Sequence, residues 1–383
     1  MEISQSVRYI GVNDYNLDLF EGQYPCPNGM AYNSYVILDK KIAVIDGVDG
    51  AFENEWLQNL KNILQGKTPD YFIVHHVEPD HSGSVMRFAQ AYPNTKIVAS
   101  KQAFLMMNNY FGQDFENRRI VVGNNDEIVL GEHTLRFFSA PMVHWPEVLI
   151  SYETTEKILF SADAFGTFGA TDKQKEWTSE ARRYYFNIVG KFGVQVQNLL
   201  QKISALPVRV ICPLHGRVLQ GAIESYLKLY DTWSKYQAEE KGVLIAYTSV
   251  YGNTARAVGL LQKHLQEKGQ ETVVCDLARC DTSAALAQAF RFDKLVLAST
   301  TYNGGVFPFM RSFIAELKEH NFQNRKVGFI ENGTWSPFAQ KTMLDGLDGC
   351  KNLTFCTQNV RIFSAMNTEN ERQIRLLADE LLQ

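Results

Sequence analysis

Apolar and polar positions follow two different rhythms along this chain. From Asn33 to about Leu219 short apolar runs recur with β-branched and aromatic residues, and NSYVILD, KKIAVIDGV, DYFIVHHV, TKIVAS, TLRFFSAP, EVLISYE, KILFSAD and VRVICPL read as strands. Several of them stand only a few residues apart, which predicts hairpins mixed with crossovers. Two packed sheets with helices outside, an αββα layering, satisfy that mixture. The polar stretch 234–242 reads as a linker. Beyond it the rhythm becomes regular: GVLIAYTS, TARAVGLLQKHLQEKG, ETVVCDL, TSAALAQAF, KLVLAST, PFMRSFIAELKEH, KVGFIENG, a helix near 337–344, LTFCTQNVRIF and ERQIRLLADELLQ. Five strands alternating with five helices predict an open, doubly wound parallel sheet. The chain is therefore expected to be α/β throughout, with one domain over 1–240 and a second over 241–383.

Composition sharpens this picture mainly by exclusion. A chain of 383 residues is long for one hydrophobic core, so two domains are the default. With 45% apolar and 21% charged residues it has the make-up of an ordinary globular protein. A net charge of -4 gives no electrostatic reason to expect nucleic acid or an anionic membrane surface. No apolar run approaches the ~20 residues of a membrane span, and MEISQSVRYIGVNDYN lacks the pattern of a signal peptide. A cytoplasmic location is expected. Six cysteines (Cys26, Cys212, Cys275, Cys280, Cys350, Cys356) are scattered without a CxxC pair, which argues against a fused rubredoxin-type centre or an iron–sulfur cluster.

The candidate chemistry begins where DYFIVHHVEPDHSG turns from apolar to ionisable. In extended chain His76 and Glu78 share one face, because side chains alternate. Pro79 then turns the chain, so that Asp80 and His81 can point into the same pocket before Ser82 opens a helix. His144 follows TLRFFSAPMV, Asp163 follows KILFSA and His215 follows VRVICPL. A single histidine at a strand end is more often a hydrogen-bonded surface residue than a ligand. Four at such positions, beside three carboxylates, argue jointly for a metal pair. His76, Glu78, Asp80, His81, His144, Asp163 and His215 offer a mixed N and O set that favours iron or manganese over the N/S-rich settings typical of zinc. His75 should point to the opposite face and be structural, and His133, His264 and His320 are expected to be solvated.

A second site signal lies in three loops that follow apolar strands of the C-terminal half. Ser249-Val250-Tyr251-Gly252-Asn253-Thr254 sits between a strand and a helix, where small and hydroxyl residues let backbone N–H groups and the helix N-terminus surround a phosphate. Ser299-Thr300-Thr301-Tyr302-Asn303-Gly304-Gly305 follows KLVLA, and Glu331-Asn332-Gly333-Thr334-Trp335 follows KVGFI. All three would lie at the carboxyl ends of parallel strands, where ligands of such sheets bind. No GxGxxG or GxxxxGK[ST] is present, which argues against dinucleotide and ATP sites. Tyr302 and Trp335 are candidates to flank an isoalloxazine ring; a lone loop aromatic is more often packing.

The first motif resembles that of the metallo-β-lactamase superfamily, whose hydrolases carry HxHxDH followed by His, Asp and His. Here Glu78 makes it HxExDH, adding negative charge and a hard oxygen donor. Together with the SVYGNT loop, the set resembles the flavodiiron proteins, or A-type flavoproteins, over essentially the whole chain. That resemblance implies a metallo-β-lactamase-like di-iron domain followed by a flavodoxin-like domain carrying FMN. It implies reduction of O2 to water, of NO to N2O, or of both, at two iron ions joined by an oxo or hydroxo bridge. It places His76, Glu78 and His144 on one iron, Asp80, His81 and His215 on the other, and Asp163 between them. In some relatives the counterpart of His81 does not bind metal, which leaves His81 open. It further implies electrons from a separate donor, such as rubredoxin or a reductase, and a head-to-tail homodimer or a dimer of dimers. Tyr24 and Tyr32, from the N-terminal segment, are candidates to reach the iron pocket.

Two other readings compete. A zinc-dependent hydrolase of metallo-β-lactamase fold with an accessory flavodoxin-like module would hold two zinc ions and be colourless. A non-enzymatic electron carrier would use only the second half and leave seven convergent ligands without purpose. Glu78 and the three loops weigh against the first, and the ligand set against the second.

Overall fold

The computed structural model describes residues 2–173 and 176–383. They form two compact units, one ending at Asp231 and the other spanning Thr232–Gln383.

In the first unit, β1 (Val7–Tyr9), β2 (Tyr35–Ile37), β3 (Ala43–Ile45), β4 (Tyr71–Ile73), β5 (Lys96–Ala99) and β6 (Arg119–Val121) form one sheet in that order. Pairing is antiparallel from β1 to β3 and parallel from β3 to β6. The second sheet runs β7 (Glu127–Val129), β8 (Thr134–Ser139), β9 (Leu149–Glu153), β10 (Ile158–Phe160), β11 (Val210–Cys212) and β12 (Leu219–Gln220), antiparallel except for β10 beside β11. Alternation decides what each strand residue touches. Ile45, Ile73 and Val98 of the first sheet share a buried cluster with Phe137, Leu149 and Phe160 of the second. Phe72, between two inward residues, points the other way and packs on Trp56 of α1 (Glu53–Leu64) and Phe88 of α3 (Val85–Ala91), its ring 4.2 Å from that of Phe88. The expected strands lie in these sheets. β1, β6, β7 and β12 were not foreseen: they are short edge strands, and β6, β7 and β12 have exposed positions, so they carry little hydrophobic signal.

In the second unit β13 (Glu240–Tyr247), β14 (Thr272–Asp276), β15 (Phe292–Tyr302) and β16 (Lys326–Asn332) are parallel in the order β14-β13-β15-β16. Helices Asn253–Glu267, Thr282–Arg291, Pro308–Glu319, Ala339–Gly346 and Thr368–Leu381 alternate with the strands. The expected single strand LTFCTQNVRIF is instead two pieces on β16, β17 (Thr354–Phe355) and β18 (Val360–Ile362). Between them the N–H groups of Thr357 and Gln358 donate to the Glu380 carboxylate, at 2.7 and 2.8 Å, in place of the ladder. Because β13 lies between β14 and β15, successive connections leave it in opposite directions, and a crevice opens at the carboxyl ends of β13 and β15. Among the described residues no helix is long and apolar enough to cross a membrane.

Candidate dimetal centre and flavin cleft

His76 and Glu78 follow β4, and the short helix α2 (Pro79–Ser82), opened by Pro79, carries Asp80 and His81. His144 follows β8, Asp163 follows β10 and His215 follows β11, so strands of both sheets deliver ligand atoms to one end of the sandwich. They gather as two groups, His76, Glu78, His144 and Asp163 in one, Asp80, His81 and His215 in the other. In the first, His144 Nε2 lies 2.9 Å from Asp163 Oδ2 and 3.2 Å from Glu78 Oε2, and His76 Nε2 lies 3.1 Å from Glu78 Oε2. In the second, the Nε2 atoms of His81 and His215 stand 3.1 Å apart, each within 3.3 Å of Asp80 Oδ2. Asp163 joins the groups: its Oδ2 faces the first and its Oδ1 lies 3.3 Å from His81 Nε2.

This packing asks for cations. Asp163 Oδ1 and both Asp80 oxygens are buried without a hydrogen-bond partner among the described residues. An unpaired buried carboxylate oxygen is costly. His215 Nδ1 lies 2.8 Å from the Ala31 carbonyl, an acceptor only, so that nitrogen donates and the ring is held with Nε2 towards the pocket. Protons fill the role in part: burial alone would lower His76, but Asp163, Glu147 and Glu78 override it and hold it well above the usual histidine range. His144 is pushed up to about 9 by Asp163 and Glu78 against the same burial. Glu78, which burial would raise, is held down to about 2 by the two imidazoles that bond it. Two divalent ions, each with nitrogen and oxygen donors, fit this donor set, and the three carboxylates offset most of their charge.

Around the ligands the structure adds residues that the sequence pattern did not reveal. Glu147, only 2% exposed, accepts from His76 Nδ1 at 2.7 Å and from the Val77 N–H at 2.9 Å, which fixes the ring so that Nε2 faces the pocket. Glu147→Gln should lower metal affinity by about 10- to 100-fold with the fold intact, as read by metal titration under anaerobic conditions. The Tyr184 ring packs 5.5 Å from that of His215, with its hydroxyl buried and, among the described residues, lacking a hydrogen-bond partner. The Tyr32 ring stands edge-on to His215 at 6.1 Å, whereas the Tyr24 hydroxyl donates to the Asn187 carbonyl at 3.1 Å. His75 faces away from the pocket, bonded to Asp46 at 2.6 Å and Ser151 at 2.9 Å. His133, expected in solvent, is buried instead, because its Nδ1 and N–H both bond Asp39. His264, on a helix, and His320, just past the end of one, are half-buried, not fully solvated.

In the second unit the three loops converge on a cleft of about 760 Å³ at the carboxyl ends of β13, β15 and β16. Val250, Tyr251, Thr300, Thr301, Tyr302, Asn303, Gly304, Gly333, Thr334 and Trp335 line it, joined by Ser336 and Phe338. Ser249, Asn253, Thr254 and Asn332 line an adjoining hollow of about 140 Å³ at the start of the helix Asn253–Glu267. Ser364, after β18, also lines it, and its hydroxyl bonds Thr334 Oγ1 at 2.7 Å. That loop is the fourth at a strand's carboxyl end, and this rule alone could have found it. Gly252 and Gly305 do not line either space. Gly252 caps the helix at φ 84°, with nothing within 4 Å of a Cβ built there. Gly252→Ala should therefore cost about 1 kcal/mol in backbone strain, checked by thermal unfolding. Tyr251 and Trp335 stand 93% and 80% exposed, flat aromatic surface beside hydroxyl and amide groups. A helix N-terminus for a phosphate and aromatic faces for a planar ring are what FMN needs.

Comparison with known proteins agrees with both halves. A family model described as ODP family beta lactamase matches residues 30–216, and one described as Flavodoxin domain matches 244–364. The anaerobic nitric oxide reductase flavorubredoxin of Escherichia coli is 28% identical over 347 residues, 87% of this chain and 72% of that protein. An uncharacterized protein of Methanocaldococcus jannaschii is 30% identical over 82% of this chain and 81% of its own length. The flavodiiron protein from Giardia intestinalis superposes with a TM-score of 0.92 at 25% identity, covering 100% of this chain and 96% of that one. The chain belongs to the flavodiiron protein family. Its first unit is metallo-β-lactamase-like and its second flavodoxin-like. The rubredoxin oxygen:oxidoreductase of Desulfovibrio gigas shares the fold, with a TM-score of 0.91 at 24% identity over 100% of this chain and 97% of that one. A flavodoxin domain implies FMN, and flavodiiron proteins carry a di-iron centre. Flavodiiron relatives are oxidoreductases. The zinc hydrolase reading is not favoured.

Proposed function

We propose that this chain reduces O2 to water, NO to N2O, or both, at a di-iron centre held by His76, Glu78, Asp80, His81, His144, Asp163 and His215. Electrons would arrive from an external donor protein of the rubredoxin type, or from a reductase, through FMN in the cleft around Thr300–Gly304 and Gly333–Trp335. The observation that carries the reading is Asp163, whose two oxygens each address a separate ligand group. Two relatives, a nitric oxide reductase and a rubredoxin oxygen:oxidoreductase, suggest the two candidate gases and the donor class.

When bound, two ferrous ions and a reduced flavin supply four electrons in all, the number that O2 needs to reach water. The protein's own contribution is position and protonation. Two ligand groups bridged by one carboxylate hold two binding positions side by side, the template that two NO molecules or one O2 require. Glu147 and the Ala31 carbonyl fix the faces that His76 and His215 present. Phe20, Tyr32 and Tyr184 crowd the His215 ring and keep that side of the pocket apolar, suited to an uncharged gas. In a head-to-tail dimer, one protomer's FMN would serve its partner's irons, and the setting would be cytoplasmic.

Fully reduced, iron-loaded protein mixed anaerobically with NO, and separately with O2, is expected to reoxidise in a single rapid turnover with at least one gas. Reoxidation no faster than that of free reduced FMN by both would refute the assignment. Metal analysis giving zinc in place of iron would favour the hydrolase.

A further inference from the structure

The loop after β13 ends where the helix Asn253–Glu267 begins, and the hydrogen bonding of that junction is incomplete. The Ala255 N–H donates to Ser249 Oγ at 3.2 Å and the Arg256 N–H to the Gly252 carbonyl at 3.0 Å. The N–H groups of Asn253 and Thr254 meet no acceptor among the described residues, although Thr254 is only 2% exposed. Buried N–H groups at a helix start need a partner, and both residues line the hollow of about 140 Å³. The charge is unbalanced as well. Arg256, the fourth residue of the helix, is exposed, and its guanidinium donates to Asn253 Oδ1. Among the described residues it forms no ion pair with a carboxylate, and the first turn holds no acidic residue. A cation there faces the positive end of the helix dipole, which is unfavourable unless an anion sits nearby. Neither the hollow nor the adjoining cleft is lined by a lysine or an arginine, so Arg256, bonded to the lining residue Asn253, is the cation brought to its edge. We propose that Arg256 pairs with the FMN phosphate and makes this site select a phosphorylated flavin over riboflavin.

The inference rests on the reading of this cleft as the FMN site, and the selection it describes is electrostatic. A phosphate monoester carries close to two negative charges at neutral pH. The free N–H groups and the helix dipole favour that anion, and a guanidinium adds a charge-assisted hydrogen bond. With five N–H donors, Arg256 can make that bond without giving up the one to Asn253. Asn253 is then a positioning residue that holds the guanidinium beside the hollow. Riboflavin has the same ring system but a neutral hydroxyl in place of the phosphate, so it gains nothing from the cation.

The test measures flavin binding by fluorescence quenching in the full-length protein stripped of flavin, with FMN and riboflavin as separate probes. In Arg256→Gln the FMN Kd is expected to rise at least about tenfold at low salt, the effect of losing one charge-assisted hydrogen bond. Riboflavin should change by less than about twofold. Arg256→Lys, which keeps the charge, should recover most of the FMN affinity. Lys263→Gln is the control: it removes a positive charge from the same helix, at a side chain 70% exposed beside Glu267, and should leave both affinities alone. Unchanged FMN affinity in Arg256→Gln, an equal loss in Lys263→Gln, or equal losses for FMN and riboflavin would overturn the proposal. If Arg256→Gln misfolds, the unaltered protein still decides. Its FMN affinity should fall with added salt while that for riboflavin holds, and parallel salt curves would equally overturn it. An unaltered protein that binds neither flavin would refute the FMN reading itself, and the proposal with it.

Discussion

Asp163→Asn should cut gas reduction by at least about 100-fold, the upper range seen when even supporting residues of a metal site are removed, while the bound flavin stays in place. The substitution keeps the side chain's size and leaves its position after β10 unchanged, so the effect isolates charge and donor type. A carboxamide offers one acceptor oxygen and one donating NH2 group. One ligand group would therefore meet N–H hydrogens where it now meets an oxygen, either at His144 Nε2, 2.9 Å away, or at His81 Nε2, 3.3 Å away. The pocket would also fall from three carboxylates to two against two divalent ions. Metal analysis should show at most one ion firmly held per chain. The flavin cleft belongs to the other compact unit, so the visible flavin spectrum reports the folding of that unit, and far-ultraviolet circular dichroism and thermal unfolding report that of the first. Two tightly bound metals and near-normal turnover in this variant would mean that Asp163 does not bridge.

The ligand positions were legible in the sequence for a reason that lies in the fold. A strand entering an active end reads as an apolar run, and the ionisable residue that breaks it stands out: His76 after DYFIV, Asp163 after KILFSA, His215 after VRVICPL. The supporting layer has no such contrast. Glu147 sits between Pro146 and Val148 at the start of a hairpin and looks like any loop carboxylate, yet it is buried against His76 because β9 pairs with β8. Tyr184 ends a helix, Thr178–Tyr184, whose sequence TSEARRY gives no sign that its last ring packs on His215. His133 shows the opposite error. Its polar neighbours suggested solvent, but Asp39, distant in sequence, folds over it. Periodicity reports which face of a strand is inward; it is silent on which loop closes over that face. The flavin loops were visible because strand ends in a parallel sheet are regular, and Ser364 escaped because β18 is short and follows a break.

Metal loading should weaken steeply on acidification, and the metal-free protein should respond to pH in the opposite direction. His76 and His81 are held above the usual histidine range, against the pull of burial, by the carboxylates around them, and His144 is held up to about 9. A metal ion needs the unprotonated nitrogen, so binding must expel these protons. Each proton displaced weakens the apparent affinity by about tenfold per pH unit below the folded pKa. With at least two expelled, iron(II) affinity measured by chelator competition should fall by about 100-fold or more per unit between about pH 9 and about pH 6.5. For the metal-free chain the sign reverses. A histidine whose folded pKa exceeds its unfolded value of about 6.5 stabilises fully below that value and loses the contribution as pH rises through the folded one. Thermal unfolding of the metal-free protein should therefore show the first unit losing stability as pH climbs towards about 9, the direction set by His144. Acid works against this through Glu78, held down to about 2, whose contribution vanishes only as pH falls towards that value. An iron affinity flat across the neutral range, or a metal-free protein that grows more stable from neutral to alkaline pH, would show that these imidazoles are not the protonated partners of Asp163 and Glu78 when metal is absent.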